Sequence, residues 1–120
     1  MNANFSVTTE SIDGLEAVSV SGELDEATAP RLREALEAVM EQVDRPVVVD
    51  LSGCEFIDST GLSLLVESQR RLAESDRSFA VCSVRPEVGR LLELTGIDTA
   101  IGLYETREEA ASSLRPSSSV

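Results

Sequence analysis

The sequence predicts an α/β fold: a mixed central sheet that opens with an N-terminal antiparallel hairpin and continues in parallel strands, with about four helices. Three observations predict it. Two alternating apolar stretches flank Asp13-Gly14, a strong hairpin turn signal. Two short runs, Val47–Val49 and from Phe79 to about Val84, are continuously apolar or β-branched, as in strands covered on both faces. Between and after these runs the apolar spacing turns helical. Residues 1–115 are expected to form one domain, and residues 116–120 a disordered tail.

Each element follows in order. Phe5, Val7 and Thr9 alternate with polar neighbours and read as a first strand. Leu15, Ala17, Val18 and Val20 give the second. Leu32, Leu36 and Val39 or Met40 then recur at helical spacing, with Thr28 as the expected N-cap and Pro30 in the first turn. After the Val47–Val49 strand, Leu62, Leu65, Val66, Leu72 and Ala73 mark a second helix. The Phe79 strand comes next. Pro86 opens a third helix carrying Val88, Leu91 and Leu92, and Gly96 is its expected stop. A short edge strand within Ala100 to Leu103 and a weak last helix in "TREEAASSL" complete the chain.

Composition narrows the function. With three Phe, one Tyr and no Trp, the core must be aliphatic. A net charge of −12 opposes binding to phosphate backbones and anionic membranes, and suits a basic protein partner. The chain has no His and no Lys; all ten of its basic residues are Arg. That removes Ser-His-Asp and Cys-His catalysis, Schiff-base chemistry and the usual histidine-bearing metal sites. Cys54 and Cys82 fit neither a disulfide framework nor a metal spacing, so two free thiols in a reducing cytoplasm are expected. No signal peptide and no membrane-length apolar run is evident. Cys82 reads as core, and Cys54 as a thiol in the loop before the motif, with redox sensitivity the lesser alternative.

The stretch "EFIDSTGLSLL", Glu55 to Leu65, raises the functional question. It sets Asp58-Ser59-Thr60 at a helix start just past a strand, where open α/β sheets place functional groups. Ser and Asp are good caps at such a point, so a purely structural role is one reading. Serine hydrolysis lacks a base, and a phosphate-binding loop would need more glycine than Gly61 and a lysine. A phosphoacceptor hydroxyl needs only exposure and a kinase. If Leu62, Leu65, Val66, Gln69, Leu72 and Ala73 form the buried face, then Thr60, Ser63, Leu64, Glu67 and Arg71 point outward. Leu64 is then an apolar docking contact beside the hydroxyls.

"SGELDEATAPRL", "VVVDLSGCEFIDSTGLSLLVESQRRL" and "VCSVRPEVGRLLELTGID" resemble the bacterial STAS domain, and within it the anti-sigma factor antagonists. The resemblance spans about residues 5–112 and rests chiefly on D-S-S/T-G-L and G-E-L-D-x-x-T-A. It implies a regulatory protein, not an enzyme, that binds an anti-sigma factor and so frees a sigma factor. The anti-sigma factor is itself a serine kinase of the GHKL type. It phosphorylates the serine after the motif's Asp, which is Ser59 here, with Thr60 the lesser candidate. The modified antagonist lets go, and a PP2C-type phosphatase resets it. Asp25 matches the family Asp near the phosphorylation loop. Asp25, Asp58, Thr60, Gly61, Ser63, Leu64 and Glu67 are the expected partner-binding residues. Ser63 stands where the family often has glycine, which alters the docking surface. Neither cofactor, metal, nucleic acid nor membrane is implied, and the free chain is expected to be a cytoplasmic monomer. The alternatives are a STAS scaffold or accessory protein of a transport or signalling complex, and a nucleotide-binding module using the helix start.

Overall fold

A computed structural model describes residues 4–12, 14–42 and 44–114. Asp13 of the expected turn and the expected tail at 116–120 lie outside those residues. The strands are β1 (Ser6–Ile12), β2 (Leu15–Leu24), β3 (Val47–Ile57), β4 (Phe79–Cys82) and β5 (Gly102–Tyr104). The helices are α1 (Ala29–Gln42), α2 (Ser59–Glu74), α3 (Pro86–Leu94), α4 (Ile97–Ala100) and α5 (Arg107–Ser113). One five-stranded sheet runs in the order β1-β2-β3-β4-β5. β1 and β2 are antiparallel, and every later pairing is parallel.

The strand alternation sorts the core into two layers. Val18, Val20, Val47, Val49, Leu51 and Val81 face α1, α2 and α3, where they meet Leu32, Leu36, Leu65, Leu72 and Leu92. Ala17, Val48, Ala80 and Cys82 face the other way, against Ala110, Ala111 and Leu114 of the α5 region. Small side chains on both partners let this short helix lie close to the sheet. Val47, Val48 and Val49 are all fully buried, as their unbroken β-branched run predicts. Burying each such side chain stabilises the fold by about 1.5–3 kcal/mol before ordering entropy is counted.

Three expectations need correction. The helices among the described residues number five, because Gly96 starts an extra single turn, α4. Gly96 sits in the left-handed region (φ 78°), ending α3 and redirecting the chain so that Ile97 packs on the core. Thr28 precedes α1, yet its hydroxyl donates to the Glu23 carbonyl (2.7 Å) and accepts from the Asp25 N–H (2.9 Å), so it braces the preceding turn. Cys54 is a strand residue, not a loop thiol, and is fully buried.

β3 is also longer than expected, and its far end is irregular. Ser19 lies opposite Asp50 but Ser21 opposite Gly53; Gly22 lies opposite Cys54 but Glu23 opposite Phe56. Each shift inserts one extra residue into β3, as a bulge does. The first bulge turns Cys54 into the core and the second restores the original alternation, so that Ile57 faces inward and Phe56 lies outside, 48% exposed.

Candidate functional site

The site forms where β2 and β3 end. Beyond β2 the chain makes a tight turn centred on Asp25. Its Oδ1 accepts from the backbone N–H groups of Ala27 (3.0 Å) and Thr28 (3.1 Å), and its carbonyl accepts from the Ala29 N–H (2.8 Å). Asp25 thus closes the turn that leads into α1.

Beyond β3, Asp58 caps α2. Its backbone is extended (φ −107°, ψ −173°), and its Oδ1 accepts from the Gly61 N–H at 3.1 Å. Its Oδ2 accepts from the Glu26 N–H at 3.2 Å, and its own N–H donates to the Leu24 carbonyl at 3.1 Å. One side chain therefore ties the helix start to the Asp25 turn, across 32 residues of sequence.

Ser59 is the first residue of α2 and is exposed, while Thr60 is half-buried. Among the described residues no hydrogen bond engages the Ser59 hydroxyl, because Asp58 already supplies the cap. Gly61 is buried, and a Cβ there would come within 2.8 Å of both Ile57 Cγ1 and Leu24 Cγ. The glycine lets the first turn of α2 press onto the ends of β2 and β3. It is a packing residue and presents no surface to a partner.

The face of α2 differs from the one its apolar spacing predicts. Leu64 is not on the wet face: it is 2% exposed and belongs to the core. Ser68 is buried too, whereas Ala73 is exposed and Val66 only partly covered. The helix is turned by about one residue position, so that Gly61, Leu64, Leu65, Ser68 and Leu72 point inward. Ser59, Ser63, Val66 and Arg70 instead border a groove beside α3 and α4, floored by Leu62 and Ile97. Its volume is about 590 Å³. Glu67, on the rim, is held by Arg33 of α1 at 2.7 Å.

On the opposite side of Asp58, the exposed ring of Phe56 borders an open depression with Asp25, Glu26, Ala27 and Asp58. The sequence reading missed Phe56, Val66 and Ile97. Strand alternation could have found Phe56, since an inward Ile57 at the strand end sends its neighbour outward.

Neither thiol suits redox chemistry. Burial pushes the Cys54 thiol up, although hydrogen bonding to the Phe56 and Leu24 backbone acts the other way. Burial likewise raises Cys82. No group of three or more carboxylates and thiols able to hold a metal occurs among the described residues. No helix among them is long and apolar enough to cross a membrane.

The family model of the STAS domain matches residues 6–110. The anti-sigma-B factor antagonist of Staphylococcus aureus is 35% identical over 108 residues, which cover 90% of this chain and 98% of that protein. A crystal structure of an anti-sigma factor antagonist from Mycobacterium paratuberculosis superposes with a TM-score of 0.85 at 35% identity, covering 97% of this chain and all of that one. The phosphorylated form of SpoIIAA, a Bacillus cell fate determinant, shares the fold with a TM-score of 0.70 at 19% identity, over 92% of this chain and 100% of that chain.

Proposed function

The chain belongs to the STAS domain family, and from that premise we propose that it is an anti-sigma factor antagonist switched by phosphorylation of Ser59. Unmodified, it docks on an anti-sigma factor that is a GHKL-type serine kinase, and the sigma factor is freed. The kinase transfers the γ-phosphoryl group of ATP to the Ser59 oxygen, ADP leaves, and the hydroxyl proton passes to a base on the kinase. The modified chain is then released until a PP2C-type phosphatase hydrolyses the ester. The relatives' function supports the first step, and a phosphorylated protein of this fold supports the chemistry of the second.

One observation supports Ser59 above its neighbours: Asp58, not Ser59, caps α2. The serine hydroxyl is exposed and has no structural duty, so a kinase can take it without unpicking the fold. A phosphate there adds about −1.5 to −2 charges at neutral pH. The helix N-terminus tolerates that charge, worth about 0.3–1 kcal/mol favourably. The docked complex does not. Ser59 opens onto the groove whose floor is Leu62 and Ile97, and an apolar partner surface laid there would strip water from a dianion. A partner carboxylate laid about 5 Å from it, at an effective dielectric near 20, would add repulsion of roughly 3 kcal/mol. Together these effects predict a loss of binding of about a hundredfold or more, with little backbone change.

The test is to incubate the chain with ATP and each GHKL-type serine kinase of its genome, and to locate phosphate by mass spectrometry. Label on Ser59, absent from Ser59→Ala, is expected. Ser59→Asp should lose the kinase that unmodified protein binds. If every kinase leaves Ser59 bare, or the stoichiometrically phosphorylated chain binds as tightly as the unmodified one, the switch is wrong.

A further inference from the structure

Phe56 has no use in the fold that explains its position. It is one of two large hydrophobic side chains left markedly exposed among the described residues, in a protein with only three phenylalanines. Strand alternation puts it there: the two one-residue shifts of β3 cancel in parity, so Ile57 keeps the inward face of Val47, Val49 and Leu51 and Phe56 keeps the outward one. The ring lies beside the Asp25 turn, and Asp58 joins that depression to the start of α2. Carboxylates surround it. Glu55 precedes it, Glu23 lies opposite it in the sheet, and Asp25, Glu26 and Asp58 border the same face. Among the described residues none of those five acids is in an ion pair, although six ion pairs form elsewhere in the molecule.

We propose that Phe56 is the anchor of the kinase-docking surface, inserting into an apolar pocket of the anti-sigma factor whose rim is arginine- or lysine-rich. The inference rests on the function proposed above and names the partner's chemistry at the same site. An exposed aromatic ring that gains full burial is the kind of residue that dominates binding energy. The unpaired acids around it supply the charge complement that steers a basic rim into register. The surface has two halves with separate tasks. Phe56 and its acids bind and orient the kinase, while Ser59 faces the apolar groove on the other side of Asp58. A phosphate on Ser59 therefore breaks docking without touching the anchor.

The experiment uses the full chain and the kinase that labels Ser59 in the test above, with unmodified protein titrated against it. Phe56→Ala should weaken the Kd at least tenfold and lower kcat/KM for Ser59 phosphorylation by a similar factor, with Tm almost unchanged. Phe56→Leu should recover part of the loss. Leu94→Ala, at the other exposed hydrophobic side chain (76% exposed), should behave as wild type. Glu26→Gln should lower the association rate and flatten its dependence on salt. An unaltered Kd for Phe56→Ala, in a chain whose Ser59 is still phosphorylated, overturns the anchor and leaves the proposed switch standing. A loss equal to that of Leu94→Ala also overturns it. Failure of every kinase to label the wild-type chain removes the switch itself.

Discussion

Two aspartates, one within β3 and one just past its end, solve opposite problems. Asp50, in mid-strand, lies under α5 and is nearly buried; Asp58, just past the strand, is half-exposed. Asp50 needs a counter-charge, and Arg107 provides it at 2.7 Å while also reaching Glu10 at 3.4 Å and the Ser19 hydroxyl. The Ser52 N–H adds a further bond to Asp50 at 2.9 Å. Asp58 needs no cation: two backbone N–H groups satisfy it. The difference teaches where change is tolerated. The α5 end is closed by charges that cannot be separated cheaply, whereas the Asp58 end is closed by backbone bonds that leave the adjacent side chains free for use.

The sharpest way to break that comparison is Arg107→Ala. It strands a buried carboxylate, and losing one partner of such a pair costs about 3–5 kcal/mol when both are fully buried. Arg107 is about a quarter exposed, so about 3 kcal/mol is expected, read as a lower denaturation midpoint. Acid should do the same more gently. Burial pushes the Asp50 carboxyl up, but the bonds from Arg107 and Ser52 more than offset it and hold the group below its usual value of 3.8. A depressed folded value means that the stabilisation is complete above the unfolded value and is lost as pH falls through the folded one. Stability measured from pH 6 downward should therefore drop less steeply in Asp50→Asn than in wild type. Equal slopes would mean that Asp50 is not the titrating group.

A smaller effect is expected at the other end. Gly61→Ala forces a methyl group into space held by Ile57 and Leu24, at a cost of about 1–3 kcal/mol. The same overlap tilts the start of α2, so chemical shifts of Asp58 to Leu62 should move while those of α5 do not. Shifts spread evenly over both regions would contradict the separation of the two ends.

The comparison also explains what was legible in advance. The Val47–Val49 run, the Pro86 helix and its Gly96 stop could be read directly, because burial or backbone geometry admits few other residues there. Leu64 was misplaced because two inward positions of α2, Gly61 and Ser68, carry no apolar signal. The stripe of visible apolar residues was therefore offset from the buried one. Phe56 was missed because the Val47–Val49 run marks only the start of β3, and the strand's continuation to Ile57, which turns Phe56 outward, depends on pairing with β2, 33 residues earlier in the register. Asp50 gave no local sign of its role, since Arg107 is 57 residues away.

The smallest expected effect is the most informative about the site. Asp58→Ala removes the cap and the tie to the Asp25 turn, and should cost about 0.5–2 kcal/mol. Ser59→Ala removes an exposed hydroxyl one position later, outside any hydrogen bond among the described residues, and should change stability by less than about 0.5 kcal/mol. Neighbouring polar residues at one helix start would then differ severalfold in their structural weight. Matched denaturation curves of the two variants decide it. If Ser59→Ala costs as much as Asp58→Ala, the serine is part of the cap, and a kinase could modify it only by dismantling the helix start. If the serine costs nothing, the fold has left one hydroxyl unemployed at the point where Asp58 joins the Phe56 face to the groove. An added charge can then alter docking there while the helix beneath it stays in place.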